Sequence, residues 1–181
     1  NVAGATIGHG LSAKPDLIIV KIRADNYTGR VYNSISGATK YLDWASTATL
    51  GTYQHMWNNT EPTDEVFSVG HDVTVGGYPI RTFIAWCFHS VEGYSKVGSY
   101  TGNDNADGTF VYTGFRPALI ICKSLDGSAH WEMLDDTRDI DNVVHHALQA
   151  NLSSAESAVN TRNNVDFLSN GFKFREDQSN I

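Results

Sequence analysis

The chain has 181 residues, 41% of them hydrophobic, and its 13 Lys and Arg against 20 Asp and Glu give a formal charge of −7. That is enough apolar material to bury a core as one domain or two small ones. An acidic chain with no basic run repels phosphate backbones and anionic lipid, so no nucleic-acid partner is expected. No stretch approaches the roughly 20 apolar residues of a spanning helix, so no membrane insertion is expected.

Short apolar and β-branched runs follow one another along the chain and predict strands. They lie at Leu17 to Ile22, Val31 to Asn33, Lys40 to Ala45, Val66 to Val69, Thr82 to Phe88, Ser95 to Tyr100, Phe110 to Thr113, Leu119 to Lys123, Trp131 to Leu134 and Asp166 to Phe174. Gly, Asn, Asp and Ser separate them, and 16 glycines with 11% aromatic and 18% charged residues suit an antiparallel all-β domain rich in turns. The expected architecture is an antiparallel, jelly-roll-like β-sandwich with an internal duplication, or two small tandem β-sandwiches. Leu148, Leu152, Ala155 and Val159 fall at helical spacing, so Ser153 to Val159 is a candidate short helix capped by Ser153. Leu17 to Val20 and Leu119 to Cys122 are continuously apolar, a pattern of strands covered on both faces.

The duplication rests on one opening that occurs twice. Gly10-Leu11-Ser12-Ala13-Lys14-Pro15-Asp16-Leu17-Ile18-Ile19-Val20-Lys21 has its parallel in Gly114-Phe115-Arg116-Pro117-Ala118-Leu119-Ile120-Ile121-Cys122-Lys123. Arg30-Val31-Tyr32 against Trp131-Glu132-Met133, and Val66 to Val69 against Gly171 to Phe174, continue it more weakly. The module is read as spanning 1–181, with a first half of about 1–102 and a second of about 103–181. The first copy starts in mid-motif and the second has no match to Thr82 to Phe88, so the residues are expected to be a piece of a longer polypeptide. A repeated scaffold multiplies surface, which suits display and binding better than a single asymmetric catalytic centre.

Cys87 and Cys122 sit in apolar runs and read as buried thiols, although an even count also permits a disulfide. Without a CxxC or Cys/His ligand spacing, structural zinc is not expected, nor is any cofactor.

The run Phe88-His89-Ser90-Val91-Glu92-Gly93-Tyr94-Ser95-Lys96-Val97-Gly98-Ser99-Tyr100-Thr101-Gly102-Asn103 carries a family likeness. So do Ala106-Asp107-Gly108, Phe110 to Ala118 and Asp166-Phe167-Leu168-Ser169-Asn170-Gly171-Phe172-Lys173. Together they resemble an uncharacterised β-rich domain of bacteriophage tail, fibre and other virion proteins, especially marine ones. The resemblance implies a module on a phage particle, serving tail or fibre architecture and host contact, and it carries over no catalytic residues.

Four constellations are candidates for chemistry. Asn103-Asp104-Asn105-Ala106-Asp107-Gly108 looks like the front of a calcium loop, but Gly114 stands where the closing carboxylate belongs, which favours a polar turn. Asp135, Asp136, Asp139 and Asp141 cluster after a strand. Paired acids facing a cleft would serve glycoside hydrolysis, while loop hydrogen bonds and ion pairs are the bland alternative. His145 and His146 with Asp141 could suggest a metal, but adjacent histidines on a strand point apart. Tyr27, Tyr53, His55, Trp57, Asn58 and Asn59 bring aromatic rings and amides into polar loops, the equipment for stacking and hydrogen-bonding sugar rings, or else ordinary packing.

The sequence thus points to a non-enzymatic structural and host-attachment module of a phage virion, in a tail fibre or appendage. Its expected partners are other virion subunits, a second copy of itself and a host surface glycan. The alternative is a jelly-roll polysaccharide depolymerase using acids from Asp135, Asp136, Asp139 and Glu61.

Overall fold

The computed structural model describes residues 4–77, 81–156 and 164–175, and every regular element in them is a β-strand. The chain divides into two units, Asn1–Ser90 and Val91–Ile181. The division falls ahead of the expected boundary near residue 102.

The first unit holds β1 (Ala5–Gly8), β2 (Leu17–Ile22), β3 (Arg30–Asn33), β4 (Lys40–Asp43), β5 (Gly51–Thr52), β6 (Val66–Val69) and β7 (Phe83–Phe88). One sheet has the order β5-β4-β3-β2-β7, the other pairs β1 with β6, and every pairing is antiparallel. A strand turns alternate side chains to opposite faces, and β2 follows this by burying Ile18, Val20 and Ile22 while Leu17, Ile19 and Lys21 stay half-exposed. Ile18, Val20 and Tyr32 of the larger sheet pack with Phe67 and Val69 of the smaller one and with Met56, Trp57 and Val75 from loops, which makes the unit a β-sandwich. Each fully buried large aliphatic side chain is worth about 1.5–3 kcal/mol over leaving it in water. Asp16 fastens β7 beside β2, its N–H donating to the Phe88 carbonyl (2.8 Å) and its carboxylate accepting from the Ser90 N–H (2.8 Å).

The second unit holds β8 (Phe110–Tyr112), β9 (Leu119–Cys122), β10 (Glu132–Asp135), β11 (Ala147–Gln149), β12 (Val165–Leu168) and β13 (Gly171–Phe174). Its sheets have the orders β11-β10-β9 and β12-β13-β8, again all antiparallel. Ile120, Cys122, Leu134 and Ala147 of one sheet meet Val165, Phe167, Phe172 and Phe174 of the other in a second sandwich core.

Part of the strand pairing recurs between the two units. Leu17 opposes Asn33 across β2 and β3, and Leu119 opposes Asp135 across β9 and β10, every partner 102 residues further on. The hydrogen bond that extends the first ladder, Ser34 N–H to the Asp16 carbonyl, corresponds to Asp136 N–H to the Ala118 carbonyl. This register sets Arg30 against Glu132, one residue away from the alignment read from sequence. β1 pairs with β6 as β8 pairs with β13. Gly10 and Gly114, which open the repeated motif, both take positive φ (68° and 87°), a region open to glycine at little cost, and so both turn the chain out of the preceding strand.

Several expectations change. The continuously apolar runs are not covered on both faces: β9 alternates exposed and buried, and in β2 Leu17 and Ile19 stay half-exposed, because each sandwich has only two layers. Residues 153–156 are not helical and Leu148 lies in β11; the remainder of that candidate helix, 157–159, falls outside the described residues. Ser95 to Tyr100 is not a strand, since Gly93 (φ 74°) turns the chain back and leaves a single bridge between Val91 and Ser95. β13 is an inner strand, lying between β12 and β8. Both cysteines are free thiols as expected, with Cys122 buried but Cys87 only half-buried.

Candidate functional site

Among the candidate sugar contacts, Tyr53 and His55 come together on a turn after β5. Tyr53 N–H donates to the Thr39 carbonyl (2.9 Å), Met56 N–H to the Tyr53 carbonyl (3.1 Å) and Asn59 N–H to the Gln54 carbonyl (2.8 Å), so the turn is held by its own backbone. The Tyr53 and His55 rings meet edge to face with centroids 5.4 Å apart, and His55 lies 4.3 Å from the ring of His71. The sequence reading missed His71, which follows β6 and reaches the turn only through the fold.

Gly70 makes that meeting possible. A Cβ on it would lie 1.6 Å from the His55 carbonyl oxygen, so only a residue without a side chain lets the two backbones approach. Gly70 N–H then donates to the Met56 carbonyl (2.9 Å), tying the turn to the end of β6. The product is a short surface of Tyr53, His55 and His71, with the exposed Gln54 amide 3.5 Å from the His55 ring.

The other candidates lie elsewhere. Trp57 is 2% exposed, donates its indole N–H to the Lys40 carbonyl (3.0 Å) and packs edge-on to Tyr32, so it is core and presents no face to a ligand. Asn58 and Asn59 take φ of 54° and 49°, a left-handed pair that reverses the chain after Trp57. Tyr27 is exposed in the loop between β2 and β3.

The acids proposed for hydrolysis are each engaged in holding the fold. Glu61 accepts from the Tyr32 hydroxyl (2.5 Å) and the Ala38 N–H (2.7 Å) and pairs with Lys14 (3.4 Å). Burial pushes its carboxyl upward, but the hydrogen bonds from Tyr32 and Ala38 and the charge of Lys14 outweigh that and hold it below its ordinary value. Asp135 accepts from the Thr137 and Arg138 N–H groups (3.0 Å each) and pairs with the Arg138 guanidinium, which also meets Glu156 at 2.7 Å. Asp136 faces Arg116 at 3.8 Å.

Asp139 accepts from the backbone N–H groups of His145 and His146 (2.8 Å each) and contacts the His146 ring at 2.6 Å. Burial again works to raise its carboxyl, and these hydrogen bonds together with the His146 charge bring it below the usual carboxylate range. A glycosidase acid needs a raised value to hold its proton, so neither Glu61 nor Asp139 is tuned for that role. Residues 138–143 and His145 line a polar cleft of about 310 Å³.

The loop 103–108 closes on itself, with Asn103 donating to the Asp107 carbonyl, Asp107 N–H to the Asn105 side chain, and the Asp107 carboxylate paired with Lys173 at 2.6 Å. Among the described residues no group of three His, Cys, Asp or Glu side chains is placed to hold a metal ion.

One family model, that of a domain of unknown function, DUF7483, matches residues 1–181. The chain belongs to this family. No curated protein and no solved structure matches it.

Within this DUF7483 chain, the polar pair at one end of each sandwich is a further feature that composition does not reveal. Arg30 and Asp43 oppose each other across β3 and β4 as an ion pair, and Glu132 and Gln149 take the corresponding places on β10 and β11, joined by a 2.9 Å hydrogen bond. Both pairs satisfy side chains that the sheet draws out of water.

Proposed function

We propose that this DUF7483 chain is a non-enzymatic structural and attachment module of a bacteriophage particle, in a tail fibre or appendage. It binds surface sugars of the host through Tyr53, His55 and His71. The observation that carries the reading is that trio, with Tyr53 and His71 exposed and His55 half-buried between them, tied to the end of β6 by the Gly70 contact. A tyrosine face stacks on the CH face of a sugar ring, while imidazole nitrogens and the Gln54 amide donate to and accept from its hydroxyls.

The placement on a phage particle is supported by the motif likeness between 88 and 118 and between 166 and 173. The scaffold part is supported by the shared strand register, which we read as a duplication of one sandwich. A formal charge of −7 sets a preference for neutral over polyanionic glycans. The test is a panel of bacterial surface polysaccharides screened for retention of the purified chain. Retention of a neutral polysaccharide that Tyr53→Ala and His71→Ala each weaken at least about 10-fold supports the reading, at about 1.4 kcal/mol per decade. Retention unchanged in both variants, or no retention by any glycan, overturns it.

A further inference from the structure

Among the edge strands of the described residues, one in each unit, β7 and β9, is wholly apolar. β7 ends the five-stranded sheet with β2 as its neighbour, and β9 ends its three-stranded sheet with β10; among the described residues neither has a second neighbour. Hydrogen bonds in an antiparallel ladder alternate along a strand. Arg23 N–H donates to the Thr82 carbonyl, so the residues of β7 bonded toward β2 are Ile84, Trp86 and Phe88, and the backbone groups of Phe83, Ala85 and Cys87 face outward. Asp136 N–H donates to the Ala118 carbonyl, so Ile120 bonds toward β10 while Leu119 and Ile121 turn their backbone groups to the open side.

Neither edge carries the usual protection. Phe83–Phe88 and Leu119–Cys122 contain no charge, no proline and no glycine, and such an edge is a template for another strand. Their side chains are exposed as well: Ile84 41%, Trp86 44%, Phe88 49%, Leu119 50% and Ile121 45%. The first unit also shows what this type of edge accepts, because β9 corresponds in register to β2, and β2 is closed on that side by an antiparallel apolar strand, β7.

We infer that β7 of one copy adds antiparallel to β9 of a second copy, joining the two sheets into one. Residues directly opposite in a ladder share a face. The Phe83, Ala85 and Cys87 row therefore meets the Leu119 and Ile121 row, and the Ile84, Trp86 and Phe88 row meets Ile120 and Cys122, apolar against apolar on both faces. One contact, repeated, covers both of these apolar edges in every copy, whereas β7 on β7 and β9 on β9 would need two different contacts. The contact is heterologous, so it propagates into a ring or a filament. Ala118 stands where Asp16 anchors the strand in the first unit, so the added strand is held by ladder and apolar rows alone and the association is reversible. The inference deepens the assembly half of the proposed function and is independent of its sugar site.

The test is sedimentation velocity of the full chain over a concentration series, with the net charge screened by added salt. Ala85→Pro and Ile121→Pro each remove an outward N–H without touching the inner ladder. Trp86→Lys and Ile121→Lys are parallel variants, read in their place if circular dichroism shows that proline disturbs the fold. Wild-type chain is expected to associate beyond dimers, and each single variant is expected to bind itself at least about 100-fold more weakly. An equimolar mixture of a β7 variant and a β9 variant is expected to form dimers and stop, since each brings one intact edge.

Self-association of either single variant at wild-type strength would overturn the edge assignment while leaving assembly standing. A mixture that stays monomeric while wild type associates would overturn it too. A wild-type chain monomeric throughout would overturn both this contact and self-assembly, with glycan retention still readable on its own.

Discussion

The Glu61 carboxylate offers the sharpest energetic prediction. Tyr32 is fully buried in the first sandwich, and its hydroxyl reaches Glu61 at 2.5 Å. Replacing Glu61 by Ala leaves that hydroxyl buried without an acceptor, which costs about 1–3 kcal/mol. The buried Ala38 N–H also loses its acceptor, but that loss is common to the Glu61→Ala single and double variants and cancels from the coupling. Tyr32→Phe removes the hydroxyl and with it the need for an acceptor, so the double variant should lose less than the sum of the singles. Hydrogen bonds to charged groups contribute about 1.5–3 kcal/mol, and the expected coupling lies in that range.

Urea unfolding followed by tryptophan fluorescence measures it, because Trp44, Trp57 and Trp86 of the first unit are three of the four tryptophans. Since the folded carboxyl of Glu61 sits below its ordinary value, its contribution is fully present above the unfolded pKa. It is lost as pH falls through the folded value, so the difference between wild type and Glu61→Gln should shrink below about pH 4. Coupling under about 0.5 kcal/mol, the usual additivity error, would refute Glu61 as the acceptor that the buried Tyr32 hydroxyl depends on.

Gly70→Ala drives a methyl into the His55 carbonyl and should lower stability by at least about 3 kcal/mol, read as a lowered urea midpoint of the first unit's fluorescence; an unchanged midpoint contradicts the close approach. Asp139→Ala orphans the His145 and His146 N–H groups and should cost the second unit about 2 kcal/mol at pH 7. Its carboxyl is also held low, so this loss too should fade as pH drops below about 4, which a pair of thermal melts would show. Burial pushes the Cys122 thiol up to about 12 and raises Cys87. A thiol reagent at pH 8 should therefore modify Cys122 only after unfolding, and both cysteines should titrate in denaturant without reductant; an immediate reaction at Cys122 in folded protein contradicts its burial.

Strands with period-two burial or continuous apolar runs were legible in sequence. Leu17–Ile22 and Val66–Val69 fall on their predicted limits, because several adjacent apolar residues mark them. Ala5–Gly8, Gly51–Thr52 and Ala147–Gln149 carry little such signal and form because a neighbouring strand supplies their ladder. The matching registers of β2–β3 and β9–β10 were signalled by the Gly-Pro openings, but the one-residue offset of Arg30 and Glu132 needed the hydrogen bonds.

In the candidate site, Tyr53 and His55 could be named from composition. His71 could not, since it lies 16 residues on and joins them only through a glycine contact. Trp57 shows the opposite error, where an aromatic residue beside polar neighbours proved to be core. The carboxylates looked available because sequence does not show which backbone N–H groups they cap.

Whether Tyr53, His55 and His71 form a sugar-binding surface is tested directly by a nuclear magnetic resonance titration of the isotope-labelled chain with a retained polysaccharide fragment. Sugar binding there shifts the Tyr53, His55 and His71 ring signals and the Gln54 side-chain amide saturably and leaves the cleft at 138–145 unmoved. Shifts confined to that cleft, or binding that leaves the three rings unchanged, would contradict it.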